Sequence, residues 1–186
     1  MELFKHLDKT YKISSEAKKA LEPLIGHIQY HKNNMVQEIG SRCKTIYIVK
    51  NGCARIFYYK EGNDITEHFA FENDMIVRAE SLFTGQPTSK GIQTLEETEM
   101  IAINSSKLFK LYDEYHDIER LFRILFEREY VNSIKRLESL QFNSAKERYL
   151  ELSKNKNLVQ KIPLKHIASY LGITQVSLSR IRAEVQ

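Results

Sequence analysis

Apolar residues recur along the last third of the chain at helical spacing. From Ile118 to Leu140 they fall at Ile118, Leu121, Ile124, Leu125, Val131, Ile134, Leu137 and Leu140, mostly three or four apart. No Pro or Gly interrupts this stretch, which predicts one helix of roughly 35 Å. A small domain cannot cover such a stripe alone, although Arg128 and Glu129 interrupt it. Part of the helix must pack as a core helix against the barrel, and residues Ile118, Leu121, Ile124, Leu125, Val131 and Ile134 are expected to form a dimer seam.

The middle of the chain has a different period. Ile28–His31, Thr45–Val49, Ala54–Tyr59, Ile65–Phe69 and Met100–Ile103 are short β-rich runs separated by turn residues. Asn51-Gly52 lies between the second and third runs and predicts a hairpin. Glu61-Gly62-Asn63-Asp64 predicts the next turn. Closely spaced strands without intervening helices predict an antiparallel barrel or jelly roll. Residues 3–25 read as a helical lead-in, with Ser14-Ser15-Glu16 as an internal cap. Ser105–Tyr115 and Ala145–Lys154 read as helices, Gln141–Ser144 as a hinge, and Asn155-Lys156-Asn157 as a loop. The fold class is α+β: an N-terminal antiparallel double-stranded β-helix, a long dimerisation helix, and a C-terminal helical pair.

That pair carries the sharpest motif, Leu164–Ile181. Ile167 and Leu171 are apolar four apart, Ala168 is small where two helices would cross, and Gly172 suits a left-handed helix end. Ile173 plugs the turn, Thr174 caps the second helix, and Leu178 and Ile181 anchor its inner face. These constraints define a helix-turn-helix. Gln175, Val176, Ser179 and Arg180 are expected to meet base edges, and Lys165, Thr174 and Ser177 to meet phosphates. His166 could help in those contacts, but as a lone exposed histidine on the first helix it is expected to be without a role.

Charge agrees with that placement. The chain carries 28 basic and 24 acidic residues, and eight basic against three acidic lie from Ala145 onward. The positive excess therefore sits in the segment that would meet DNA. Cys43 and Cys53 are too few for a disulfide scaffold or metal cluster and read as free thiols. There is no signal-peptide core and no membrane-length apolar run, so a cytoplasmic location is expected. No Ser-His-Asp set, metal cluster or phosphate loop points to an enzyme, so no catalytic or metal-binding residue is assigned.

This order of barrel, long helix, hinge and terminal motif resembles the cyclic-AMP receptor protein and fumarate-nitrate regulator (Crp/Fnr) family. The run Ile167–Thr174 followed by Leu178-Ser179-Arg180-Ile181-Arg182 resembles the branch common in the Bacteroidetes. The resemblance implies a cyclic-nucleotide-binding-like barrel over 1–116, a dimerisation helix and hinge over 117–142, and a DNA-binding domain over 143–186. It also implies a homodimer on palindromic promoter DNA, with RNA polymerase as a further partner and a small effector, of unknown identity, in the barrel. The family's phosphate cassette uses a Gly-Glu pair and a downstream Arg-Ser pair. Here the matching positions are Ala79, Glu80 and Ser81, then Lys90 and Gly91. Lys90 cannot grip a phosphate bidentately, so cyclic AMP is expected to bind weakly or not at all. Relatives often add a β-hairpin wing after the recognition helix. No complete wing is read here, which implies weaker binding per subunit. A module of the same fold whose helical tail contacts a protein partner is the alternative reading.

Overall fold

The computed structural model describes residues 2–154 and 161–185. The loop expected at Asn155-Lys156-Asn157 lies outside the described residues. The lead-in forms two short helices, α1 (Glu2–Leu7) and α2 (Ser15–Leu21), then a single 3-10 turn at Glu22–Leu24. Ser14 caps α2, its Oγ accepting from the Ala17 N–H at 3.2 Å. The strand that follows starts at Ile25, inside the expected helical lead-in.

Eight strands follow: β1 (Ile25–Tyr30), β2 (Met35–Gln37), β3 (Thr45–Asn51), β4 (Ala54–Lys60), β5 (Asn63–Ala70), β6 (Met75–Ile76), β7 (Gly91–Thr94) and β8 (Thr98–Asn104). They form two four-stranded antiparallel sheets, ordered β1-β8-β3-β6 and β2-β7-β4-β5. Tyr47, Val49, Ala54, Ile56, Ile92 and Met100 fill the space between the sheets. On β3 the alternate residues Ile46 and Ile48 face the other way, into a core shared with the helices. That strand is buried on both faces, so it reads as a continuous apolar run rather than an alternation.

The Asn51-Gly52 hairpin expectation is corrected. β3 and β4 belong to different sheets, so this turn carries the chain across the sandwich instead of joining paired strands. Gly52 is needed there because φ is +98° and a Cβ would lie 2.6 Å from the Glu97 carbonyl oxygen. The two-residue hairpin is Glu61-Gly62, where Lys60 pairs with Asn63 and both turn residues have positive φ. That is the type I′ signature.

Helix α3 (Ala79–Thr84) sits between β6 and β7, and α4 (Ser105–Tyr112) follows β8. Helix α5 runs from His116 to Phe142, about 40 Å at 1.5 Å per residue. Its expected seam divides in two. Ile118 and Leu121 are fully buried and Leu125 nearly so, all in the chain's own core with Leu7, Leu108 and Ile101. These three are therefore removed from the seam: their apolar surface is already used. Ile124 is half-buried, while Val131 and Ile134 are exposed. The exposed stripe continues through Leu137, Leu140 and Phe142.

At the expected hinge, α5 ends at Phe142 and Asn143 is extended. Ser144 starts α6 (Ala145–Ser153) with a reciprocal capping box to Glu147. The last two helices are α7 (Leu164–Tyr170) and α8 (Gln175–Val185). They share a core with Tyr149, Ile162, and the barrel residues Phe69 and Leu95.

Candidate functional site

Helices α7 and α8 are joined by a tight turn with a specific chemistry. Gly172 takes φ +69°, and the Ile173 N–H reaches back to the Ala168 carbonyl at 3.0 Å. Thr174 caps α8, its Oγ1 accepting from the Ser177 N–H at 3.1 Å. Ile167, Leu171 and Leu178 are fully buried and Ala168 nearly so, while Ile181 is half-buried against them. On the opposite face Gln175, Val176, Ser179 and Arg180 are exposed, Val176 to 62%. Lys165 on α7 and Thr174 are exposed too, and Ser177 is half-buried. The Ser179 hydroxyl is already used by its own helix, donating to the Gln175 carbonyl at 3.0 Å. Gln175, Val176 and Arg180 are other exposed side chains on this face.

The pair docks on the barrel through a polar cluster that the sequence did not suggest. Arg55 on β4 is 2% exposed. Its guanidinium bonds both Asp64 oxygens at 2.5 and 2.7 Å, Gln93 at 2.8 and 3.1 Å, and Thr66 at 3.0 Å. The same Nη1 donates to Nδ1 of His166 at 2.8 Å. Arg has no acceptor, so Nδ1 must be unprotonated and the ring neutral. His166 is thus buried and bonded, correcting the expectation that it is exposed and idle. Burial, and then the neighbouring Arg55 charge, depress its pKa to about 4. Burial pushes Asp64 upward, but the Arg55 hydrogen bonds and charge outweigh it and hold the carboxyl below its usual range. The Thr66 N–H also donates to Ser169 Oγ, and Phe69 packs on Tyr170 at 4.9 Å between ring centres.

A groove of about 1010 Å³ separates the barrel from α5. Ala79 and Glu80 line it from the start of α3. Ser81, Lys90 and Gly91 do not, and each has a local reason. Ser81 is buried, accepting from the Cys43 N–H and donating to the Gln86 carbonyl. Lys90 is ion-paired with Glu67. A Cβ on Gly91 would meet Met35 and Phe57 at 2.9 Å, so this glycine serves packing. The charges that do face the groove include Glu67, Arg78 and Arg136, which sequence reasoning missed. Their only signal was a charge within an apolar stretch, after Met75-Ile76-Val77 and between Ile134 and Leu137.

The two thiols are buried and free. Burial, aided by Glu96 and Asp74, pushes Cys53 up to about 12, and burial raises Cys43 as well, so neither is a ready nucleophile. Among the described residues there is no cluster of His, Cys, Asp and Glu able to hold a metal ion. Nor is any helix among them long and apolar enough to cross a membrane.

Residues 27–115 match the family model of the cyclic nucleotide-binding domain. No curated protein matches the chain by sequence. Solved structures extend the likeness beyond this domain. FixK2 from Bradyrhizobium japonicum shares 18% identity over 87% of this chain and 84% of that one, with a TM-score of 0.72. The c-di-GMP responsive global regulator CLP of Xanthomonas campestris shares 14% over 93% and 92%, with a TM-score of 0.71. A Crp/Fnr-family transcriptional regulator from Eubacterium rectale shares 17% over 91% and 82%, also at 0.71. At these identities the likeness establishes the fold alone: a cyclic nucleotide-binding-type β-sandwich with a long helix.

Proposed function

We propose that the chain is a DNA-binding transcription regulator of the Crp/Fnr type, acting as a cytoplasmic homodimer on palindromic promoter DNA and in contact with RNA polymerase. The observation that carries this reading is the outward face of α8. Gln175, Val176 and Arg180 are exposed there, while Leu178 anchors the opposite face and Thr174 caps the end. This face supports the reading of α8 as a helix-turn-helix recognition helix, whose N-terminal residues would enter the major groove. The basic excess from Ala145 onward and the regulators among the structural neighbours support it. The branch resemblance of the Ile167–Thr174 run belongs to the same proposal. Selection of duplexes from a random pool, followed by titration at several salt concentrations, tests it. Steep weakening with salt and an inverted repeat in the selected sites are expected, because phosphate contacts release counterions. A tail that only contacts a protein partner would select no duplex.

Arg180 is the residue best placed to read a base, its fork matching the guanine edge. Arg180→Ala is expected to cost about 1–3 kcal/mol on the selected site and to relax one base position. Unchanged affinity together with unchanged preference in the same assay removes Arg180 from the reading set.

An effector in the barrel would act through the groove between barrel and α5, and cyclic AMP is a poor fit for it. Lys90, at the cassette position, is already committed to Glu67, so a cyclic phosphate would have to displace a carboxylate. Gly91 offers no hydroxyl at the other cassette position. Calorimetric titration is expected to show no binding of cyclic AMP or cyclic GMP in the low micromolar range. A dissociation constant there or tighter overturns this view of the pocket.

A further inference from the structure

The inner end of the groove holds two guanidinium groups whose hydrogen bonding is incomplete. Arg78, in the turn entering α3, is 7% exposed. Its Nη1 donates to Glu67 at 3.2 Å, but its Nε–H is buried without an acceptor. Arg136, on α5, donates through Nη2 to the Tyr170 carbonyl and lies 3.8 Å over the Tyr170 ring. Its Nε–H is likewise buried and unpaired. Folded proteins leave few buried donors unpaired, and each one needs an explanation. Both arginines line the same groove from opposite walls.

Glu80, Glu119, Glu127 and Glu129 also line the groove, but none of them is paired with Arg78 or Arg136 among the described contacts. Arg78 and Lys90 share the single carboxylate of Glu67, and Arg136 is close enough to feel that charge without being paired to it. Burial lowers the pKa of the neighbouring His68, so it is neutral here. Further out, Arg123 is taken by Glu127 at 2.5 Å. Space exceeds what a small inorganic anion needs, and Phe83, Phe109 and Phe126 form an aromatic wall along it.

We propose that this inner end binds an organic carboxylate. Its oxygens accept from the guanidinium groups of Arg78 and Arg136, and its apolar body lies along Phe83, Phe109 and Phe126. The inference rests on the reading of the chain as an effector-controlled regulator and supplies the chemical class of the effector. Such a ligand ties the barrel wall to α5. Because Arg136 also holds Tyr170 at the end of α7, occupancy is felt directly where the DNA-reading helices dock.

The probe is phenylbutyrate, with the neutral phenylbutyramide and with acetate as controls, titrated into the full chain by calorimetry and followed by thermal denaturation. Phenylbutyrate is expected to bind and to raise the melting midpoint, whereas the amide and acetate are not. Arg78→Gln and Arg136→Gln are each expected to weaken phenylbutyrate roughly tenfold or more. Circular dichroism checks that each variant folds. If Arg78→Gln does not fold, Arg136→Gln on the more open helix carries the test. Absent phenylbutyrate binding, equal binding of the amide, or wild-type affinity in a folded variant overturns the proposal. Duplex binding is measured on the same samples. Salt-dependent DNA binding without a phenylbutyrate response retires the carboxylate site alone. Phenylbutyrate binding without any duplex binding retires the regulator reading and leaves the site standing.

Discussion

Leu121→Glu is expected to leave the chain unfolded, whereas Ile134→Glu combined with Leu137→Glu is expected to give a folded monomer. All three leucine and isoleucine positions belong to one helical stripe, yet their surroundings differ. Leu121 is fully buried among Ile118, Phe122 and Leu108, where a carboxylate finds no partner. Losing a packed leucine costs about 2–5 kcal/mol, and burying an unpaired polar group adds several more. That total reaches the whole stability of a typical domain, about 5–15 kcal/mol. Ile134 and Leu137 are 38% and 51% exposed in the single chain, so charging them removes little internal packing. With Val131, Leu140 and Phe142 they form a large exposed apolar face, which marks an interaction surface. Circular dichroism and light scattering separate the two outcomes. A dimer that survives both glutamates places the seam elsewhere. A folded Leu121→Glu chain would show that this helix packs differently.

The stripe shows what periodicity can and cannot say. Helical spacing located α5 to within two residues at either end, but the same spacing holds whether the stripe meets its own barrel or a second copy. Only the barrel's position divides Leu121 from Ile134. The strands were legible wherever a run was long, as at Thr45–Val49 and Ala54–Tyr59. The two-residue β6 and the bulged β2 carry too few residues for any period to register. Asn51-Gly52 misled because positive φ serves both a hairpin and a crossing between sheets. The α7–α8 turn was legible because each of its constraints is local: Gly172 needs its φ, Thr174 caps its own helix, and Leu178 lies one turn on. Arg55, Arg78 and Arg136 were not legible. Their partners lie on other strands and helices, some far away in sequence, as with Arg55 and His166, which are 111 residues apart.

That long-range pair has a large expected effect of its own. Arg55→Met is expected to destabilise the protein by about 3 kcal/mol, because it strands partners of a buried, multiply bonded cation. Asp64 keeps 29% of its side chain exposed, which holds the loss toward the low end of such cases. Acid should act on the same contact from the histidine side. His166 has a folded pKa of about 4 against an ordinary 6.5. As pH falls between those values, the unfolded chain takes up a proton that the folded chain refuses. Stability supplied by neutral His166 is therefore complete above pH 6.5, declines through the window, and is gone below about 4. The integrated loss is about 3 kcal/mol, with about 2 kcal/mol of it reached by pH 5. Once protonated, Nδ1 cannot accept from Arg55 and faces two cations, Arg55 and Lys165, with Asp64 as the opposing charge. Helix α7 should leave β5 before the barrel melts, since the barrel's main cores do not depend on this bond. His166→Asn supplies an acceptor that does not titrate. Denaturation at pH 7 and pH 5, with hydrogen exchange on the α7 amides, should show a pH-dependent loss in the wild type that this variant lacks. His68 and the other buried groups titrate in both proteins, so the difference between the two curves isolates His166. Identical curves would mean that the Arg55–His166 bond does not hold α7 and α8 to the barrel.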